Sequence, residues 1–345
     1  MNLYIIGNGF DLAHGLKTTY YDFRQYLIEH GEENYNKGDF SISKKEIVDK
    51  FEEVCKPDDS WNDFELQTLK IILKVQNDKI SIFGKEWNLK LSLGPEQYQF
   101  RDSIKEQLEI HKEEFDTSFT EKQIKDGAMT YFNNIVTETY LWIPYLYISF
   151  QEWIKTVDTS KCIFHYDLDE NSSAISFNYT NTLEEVYSIS DILFIHGSTN
   201  ILKDIVLGYH SASIDEELPG LQTTYTEDYR QSQEASSQAG FKKPTSNKFY
   251  NENINRFYKP VNVLKEKIAT FIQEKNIDVV TVIGHSYNGI DWPYFEEVMK
   301  ELPKARYVFT FYTPSDRKSI EEMIKQLKLD IDYEIVHSGF LMIEK

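Results

Sequence analysis

Cysteine is scarce in this sequence, and the two that occur, Cys55 and Cys162, lie far apart and form no C-x-x-C pair. Two scattered cysteines cannot supply a four-cysteine zinc module, and a framework of disulfides is not expected. No metal-ligand spacing such as H-E-x-x-H occurs either. We therefore predict no metal site.

Long apolar runs are missing as well, because no stretch reaches the roughly 18 consecutive apolar residues of a membrane span. Met1 and Asn2 bring no basic residue, and the first apolar run ends at Gly7, which does not match a secretory signal peptide. We therefore expect a cytoplasmic protein without a membrane partner.

Positively charged residues are fewer than negatively charged ones: the chain has 37 Lys and Arg and 56 Asp and Glu, which gives a formal net charge of −19. This balance argues against a protein that wraps nucleic acid or lies on anionic lipid. A small anionic ligand stays open, because backbone amides and a few arginines can form a local positive pocket. The composition, 41% hydrophobic and 14% aromatic, is that of a globular chain able to bury a substantial core.

The N-terminus carries the most informative pattern, in which the apolar run 3–6 leads into Gly7-Asn8-Gly9. The run predicts a strand buried on both faces. Glycines at the turn allow positive φ and leave room for a ligand near the backbone, and the amides that follow would suit a phosphate. The third glycine of the dinucleotide fingerprint is replaced by Leu12. A tight turn with a purely steric role explains a Gly-x-Gly pattern equally well.

The next part of the chain has helical spacing. Thr19 and Asp22 predict a capping box for a first helix. From 43 to 158 the apolar positions recur at helical intervals, and we interpret residues 45–160 as a helical insertion. Residues 78–95 fit either a helix or a hairpin.

From residue 174 onward, strand-like and helix-like segments alternate. The predicted strands are 174–178, 192–195, 205–208, 278–284 and 307–312, and the predicted helices are 182–187, 261–273, 292–302 and 315–327; the polar stretch 211–256 predicts a loop. This alternation predicts an α/β fold with a Rossmann-like, doubly wound parallel sheet. We assign residues 1–30 plus 170–345 to this nucleotide-binding domain.

Polar or small residues follow several predicted strands. They are Gly7 to Asp11, Asn178 to Thr180, His196-Gly197, Gly208-Tyr209-His210 and Gly284-His285-Ser286. Ligands of doubly wound sheets bind at the carboxyl ends of the strands, so these residues predict one cleft. Taken singly, Asn178 also fits a turn or cap residue, and His196 also fits a hydrogen-bonded core histidine.

These motifs resemble those of two related groups. Residues 7–11 with Asp22-Phe23-Arg24, together with His196-Gly197 and 284–286, resemble the sirtuins. The whole chain most resembles the AbiH family of bacterial phage abortive-infection proteins. That resemblance is carried by residues 6–16 (IGNGFDLAHGL), 61–65 (WNDFE), 177–180 (FNYT), 283–286 (IGHS) and Asp291.

The resemblance implies that the cleft binds NAD or a related nucleotide and hydrolyses it. By similarity to the sirtuin-like group, His196 acts as a base and Asn178 positions the ribose, while Asp11 joins them in the cleft. The implied nucleotide contacts are Gly7, Asn8, Gly9, Phe10, Gly284 and Ser286, with Arg24 on the pyrophosphate. Deacylation is not implied, because the zinc module is missing. Thr180 also replaces the acidic residue of that group that contacts the nicotinamide amide.

Three interpretations follow: a nucleotide-cleaving effector of abortive infection, a nucleotide sensor that acts through a protein partner, and an adaptor with a vestigial glycine turn. Loss of the third glycine favours the sensor over a dehydrogenase, and the pair Asn178 and His196 favours the effector. Trp61 and Glu65 offer an acid beside an aromatic ring, although a solvated carboxylate is the commoner explanation. The nucleotide, the phage-derived trigger and any homo-oligomer stay open.

Overall fold

In a computed structural model, the described residues are 1–37, 40–55, 64, 65, 67, 68, 71, 140–200, 205–208, 257, 259–287, 289–328 and 330–343. Several predictions concern residues outside these ranges: the helix or hairpin at 78–95, the cleft residues Tyr209 and His210, the loop at 211–256 and the role of Trp61.

The elements alternate as expected for an α/β fold. In chain order they are β1 (Asn2–Ile6), α1 (Asn8–Ala13), α2 (Tyr20–Glu29), β2 (Asn34–Lys37), β3 (Phe40–Ser43), α3 (Lys44–Cys55), α4 (Trp142–Ile154), β4 (Ser173–Ser176), α5 (Thr182–Tyr187), β5 (Asp191–Phe194), α6 (Val261–Ile272), β6 (Val279–Ile283), α7 (Trp292–Glu301), β7 (Arg306–Phe311), α8 (Pro314–Leu327) and β8 (Asp332–His337). Short 3₁₀ turns lie at Thr159–Lys161, Gly289–Asp291 and Ser338–Leu341. The strand β8 and the β2–β3 hairpin are not predicted from the sequence.

Within the described residues, six strands form one parallel sheet in the order β5-β4-β1-β6-β7-β8. The chain builds outward from β1 in one direction through β4 and β5, then returns to the other side of β1 with β6. This reversal between β1 and β6 is the switch point of a doubly wound sheet, and it confirms the Rossmann-like α/β class. Crevices at such switch points are where ligands bind.

Both faces of the sheet are covered, which explains the continuous apolar sequence of β1. Leu3 and Ile5 pack into one hydrophobic cluster with α6, α7 and α8. Tyr4 and Ile6 point to the other face and pack with α1 and α5. The side chains of β1 therefore alternate between two buried layers.

A third hydrophobic cluster, which we call the helical cluster, joins α2, α3 and α4. The predicted capping box starts α2, because Asp22 N–H donates to the Thr19 side chain and the Asp22 carboxylate accepts from Thr19 N–H. Phe23 and Leu27 of α2 are fully buried in this cluster. The division into residues 1–30 plus 170–345 and an insertion at 45–160 stays a prediction, because most of 56–139 is not described.

The predicted strand at 205–208 is wrong, because these residues form no strand. Their backbone carbonyls are used by side chains: Tyr147 Oη donates to Ile205 O at 2.7 Å, and Tyr179 Oη donates to Val206 O at 3.0 Å. The apolar side chains Ile205 and Leu207 instead fill the helical cluster. The short apolar run at 205–208 therefore reflects burial in the helical cluster and not pairing in a sheet.

Candidate functional site

A cavity of about 950 Å³ lies at the carboxyl ends of β1, β4 and β6, between the sheet and the helical cluster. The sheet side contributes the residues that follow the strands: Gly7, Asn8, Gly9, Asp11, Phe177, Asn178, Thr180, His196, Gly284, His285 and Ser286. The helical cluster contributes Tyr20, Phe64, Phe150 and Trp153, and Glu65, next to Phe64 in the chain, also lines the cavity. The position of this cavity agrees with the rule for doubly wound sheets.

Of the residues predicted to act in catalysis or nucleotide binding, Phe10 and Arg24 do not line the cavity. Gly197 and Gly208, which the sequence predicts to join the cleft, do not line it either. Phe10 is fully buried against α5 and Tyr166. Arg24 Nε donates to Glu52 Oε1 at 2.7 Å, which ties this guanidinium to α3. The pyrophosphate contact predicted for Arg24 therefore has no support in its position.

Gly7 and Gly9 are needed for packing rather than for positive φ. Gly7 has extended backbone angles, and Gly9 lies in α1. A Cβ on Gly7 would lie 2.7 Å from Gly284 O, and a Cβ on Gly9 would lie 2.8 Å from the same oxygen. The amides are also used internally, since Gly7 N–H donates to Ile283 O and Gly9 N–H to Gly284 O.

This packing changes the interpretation of the glycine turn. The turn brings β1 and β6 together at the switch point, and it does not leave a row of free amides for a phosphate. A Gly9→Val variant would collide with the backbone of Gly284. It would therefore disturb the fold and would not report on ligand binding alone.

Asn178 and His196 are the side chains best placed to meet a ligand. Both are buried and line the cavity, and neither amide atom of Asn178 nor Nε2 of His196 has a hydrogen-bond partner among the described residues. Burial, aided by nearby Lys259 and His285, holds the pKa of His196 well below its usual value, although a hydrogen bond with the Phe177 backbone opposes this. His196 is thus neutral at physiological pH.

Asp11 is buried and lines the same cavity. Its carboxylate accepts from Thr180 Oγ1 at 2.6 Å and from Thr182 Oγ1 at 2.8 Å. Burial raises the pKa of Asp11 to about 6, and the two hydroxyls and the nearby Asn178 amide oppose that rise. Thr180, the departure from the sirtuin pattern, therefore serves to hold a carboxylate in the cavity.

We expect Asp11 to make stability depend on pH. The folded protein holds a proton on Asp11 between about pH 4 and 6, where the unfolded chain has released it. The free energy of unfolding should therefore fall by about 3 kcal/mol as the pH rises through this window. Urea denaturation from pH 4 to 7 should show a fall that is larger in the wild type than in Asp11→Asn by this amount. Equal slopes for the two proteins would contradict the prediction.

The neutral ring of His285 carries its proton on Nε2. Its Nδ1 accepts from Tyr287 N–H at 3.0 Å, so the proton of the neutral ring lies on Nε2, which is 3.5 Å from Asp291 Oδ2. Burial lowers the pKa of His285 to about 3, and Lys259 adds to this effect. His285 can donate a hydrogen bond from Nε2 but offers no free lone pair to act as a base, because its Nδ1 already accepts from Tyr287 N–H.

A buried ion cluster at the cavity wall is not predicted from the sequence. Lys259 is fully buried, and its Nζ lies 2.8 Å from Glu65 Oε1 and 3.7 Å from Asp291 Oδ1. Glu65 is therefore not the solvated acid that the sequence favours. Burial raises the pKa of Glu65 and Asp291, and Lys259 opposes the rise in both.

Other chemistry is limited in the part of the chain that the structure describes. There, no group of three or more His, Cys, Asp or Glu side chains is placed to hold a metal ion. His14, which follows α1, contacts Phe10 O and Tyr187 Oη through its two nitrogens and does not line the cavity. No helix among the described residues is long and apolar enough to cross a membrane.

Comparison with known proteins identifies one family. The family model described as "Bacteriophage abortive infection AbiH" matches residues 3–312. This range runs from Leu3 in β1 to the end of β7 and contains the cavity residues discussed above. Searches of curated proteins and of solved structures give no significant match.

Proposed function

The chain belongs to the AbiH family of bacteriophage abortive-infection proteins, and from this premise we propose that its cavity binds NAD or a related nucleotide and hydrolyses it. The observation that carries the proposal is the set of unpaired polar atoms on Asn178 and His196 in a cavity at the switch point. The bond to be cleaved is the one between nicotinamide and ribose, as the resemblance to sirtuins implies.

Unpaired buried polar atoms are costly, at about 1–3 kcal/mol each. The Asn178 amide offers a donor and an acceptor, and His196 Nε2 offers an acceptor. Ribose hydroxyls, which both donate and accept, complement this set. A ribose bound here would satisfy atoms that the described residues leave unsatisfied.

The chemistry of hydrolysis fits the protonation states of these side chains. As nicotinamide leaves as a neutral molecule, positive charge develops on the ribose. A water molecule then adds to the ribose carbon, and neutral His196 accepts its proton at Nε2. Asp11, ionised above about pH 6, provides a negative charge that stabilises the developing cation.

Asn178→Ala tests the binding step. We expect nucleotide affinity to fall at least about tenfold, because two hydrogen bonds to the ribose are lost. The melting temperature should stay close to that of the wild type, since the amide makes no hydrogen bond among the described residues. Calorimetry with NAD and other nucleotides measures the effect, and Asn171→Ala, in an exposed turn, is the matched control.

Expression in cells then separates the effector from its alternatives. If the proposal is right, induction of the wild type during phage infection lowers cellular NAD or a related nucleotide, and Asn178→Ala does not. Protection against phage with every nucleotide pool unchanged would overturn the hydrolase. That outcome would favour a sensor or adaptor that acts through a protein partner.

A further inference from the structure

One side of the cavity combines aromatic rings with a carboxylate, and we call it the acid–aromatic wall. It consists of Tyr20, Phe64, Glu65, Phe150 and Tyr179, all of which line the cavity. Tyr20 and Phe64 stack with ring centroids 4.7 Å apart, and Phe150 meets Tyr179 edge to face at 5.1 Å. Tyr20 Oη donates to Glu65 Oε1 at 3.3 Å, which fixes the carboxylate among the rings.

The charge around this wall is negative. Lys259 is shared by Glu65 and Asp291, so one cation faces two carboxylates, and Asp11 adds a third acid to the cavity. Among the described residues that line the cavity, none is Lys or Arg. This wall attracts a positively charged group, and aromatic faces strengthen the attraction.

The wall belongs to a cavity with independent signs of a ligand. Asn178, buried and unpaired in both amide atoms, lines the same space. The shape of the wall also matters, because flat rings bind other flat rings by stacking. A ligand that is both planar and positively charged would use every feature of this surface.

We propose that the acid–aromatic wall binds a planar heteroaromatic ring that carries a positive charge, and that Glu65 determines this specificity. The proposal rests on the proposed function, within which it names the substrate class: nucleotides with an N-alkylated pyridinium ring, such as oxidised NAD. Reduced NAD has the same phosphates and riboses but a neutral, non-aromatic dihydropyridine ring. The cavity should therefore distinguish the two oxidation states.

Glu65→Gln, which keeps the shape and removes the charge, is the test. Calorimetry should show that the wild type binds N-methylnicotinamide cation about tenfold more tightly than neutral nicotinamide. The same preference should appear for oxidised over reduced NAD. In Glu65→Gln both preferences should disappear, whereas Glu296→Gln on the outer face of α7, where Glu296 pairs with Lys300, should keep them.

The outcomes separate this inference from the function on which it rests. If the wild type binds the charged and neutral rings equally, the inference is wrong, whatever nucleotide the protein hydrolyses. If the preference exists but survives in Glu65→Gln, Glu65 is not its cause. If Glu65→Gln fails to fold, the paired ligands on the wild type still decide whether the wall selects a cation. Selection of N-methylnicotinamide without any nucleotide hydrolysis would support the wall and overturn the hydrolase.

Discussion

We expect His196→Ala to lower the rate of nucleotide hydrolysis by about 10²–10⁴-fold, the usual contribution of a general base. The reason is that Nε2 of His196 lines the cavity without a partner among the described residues. Burial keeps the ring neutral, so its lone pair is available throughout the physiological range. Release of nicotinamide by the purified proteins, followed by chromatography, measures the rate.

Two controls make the result specific to catalysis. His30→Ala changes a histidine of the helical region that contacts Tyr26 O and does not line the cavity, so it should keep full activity. The wild-type rate should fall on acidification near pH 6, where Asp11 takes up its proton. A folded His196→Ala protein as fast as the wild type would remove His196 from the mechanism.

The position of the site could be predicted because it depends on local signals and one topological rule. Apolar runs that end in Gly7, Asn178 and His196 mark the carboxyl ends of strands. In a parallel sheet, adjacent strands present these ends at one edge. The sequence thus predicts that these residues meet, although their separations along the chain exceed a hundred residues in places.

The ion cluster could not be predicted, because no local sequence pattern indicates which distant residue a charged side chain will pair with. Glu65 and Lys259 are 194 residues apart, and each resembles an ordinary surface charge in its own segment. Arg24 shows the opposite case, in which a pairing is predicted with a different partner. The motif resemblance predicts that Arg24 binds a ligand, but its side chain pairs with Glu52 of α3. Such pairings depend on how the helical cluster packs on the sheet, which the sequence pattern does not specify.

The glycine turn shows how one motif can have two physical causes. Glycine suits both close approach of a ligand and close approach of another backbone segment. At Gly7 and Gly9 the nearest neighbour is Gly284 of the facing strand end, so backbone packing accounts for both positions. The sequence alone cannot separate these causes, because each requires only the absence of a side chain.

Lys259→Met should be the most destabilising charge change in the described residues. It keeps the buried volume but leaves Glu65 and Asp291 facing each other without a cation. Loss of one partner from a buried ion cluster costs about 3–5 kcal/mol. Chemical denaturation at pH 7 measures this loss, and Lys300→Met, at a half-exposed lysine paired with Glu296, should cost far less, because a solvent-exposed ion pair contributes little to stability.

The pH dependence and a compensating variant identify the cause of that loss. Without Lys259, both carboxyls should bind protons more readily in the folded protein than in the unfolded chain. The deficit relative to the wild type should therefore shrink as the pH falls toward about 4, where the acids become neutral. Adding Glu65→Gln and Asp291→Asn to Lys259→Met removes the uncompensated charges and should restore much of the stability at pH 7. If the triple variant is no more stable than Lys259→Met, the loss comes from packing around the lysine stem and not from unpaired charge.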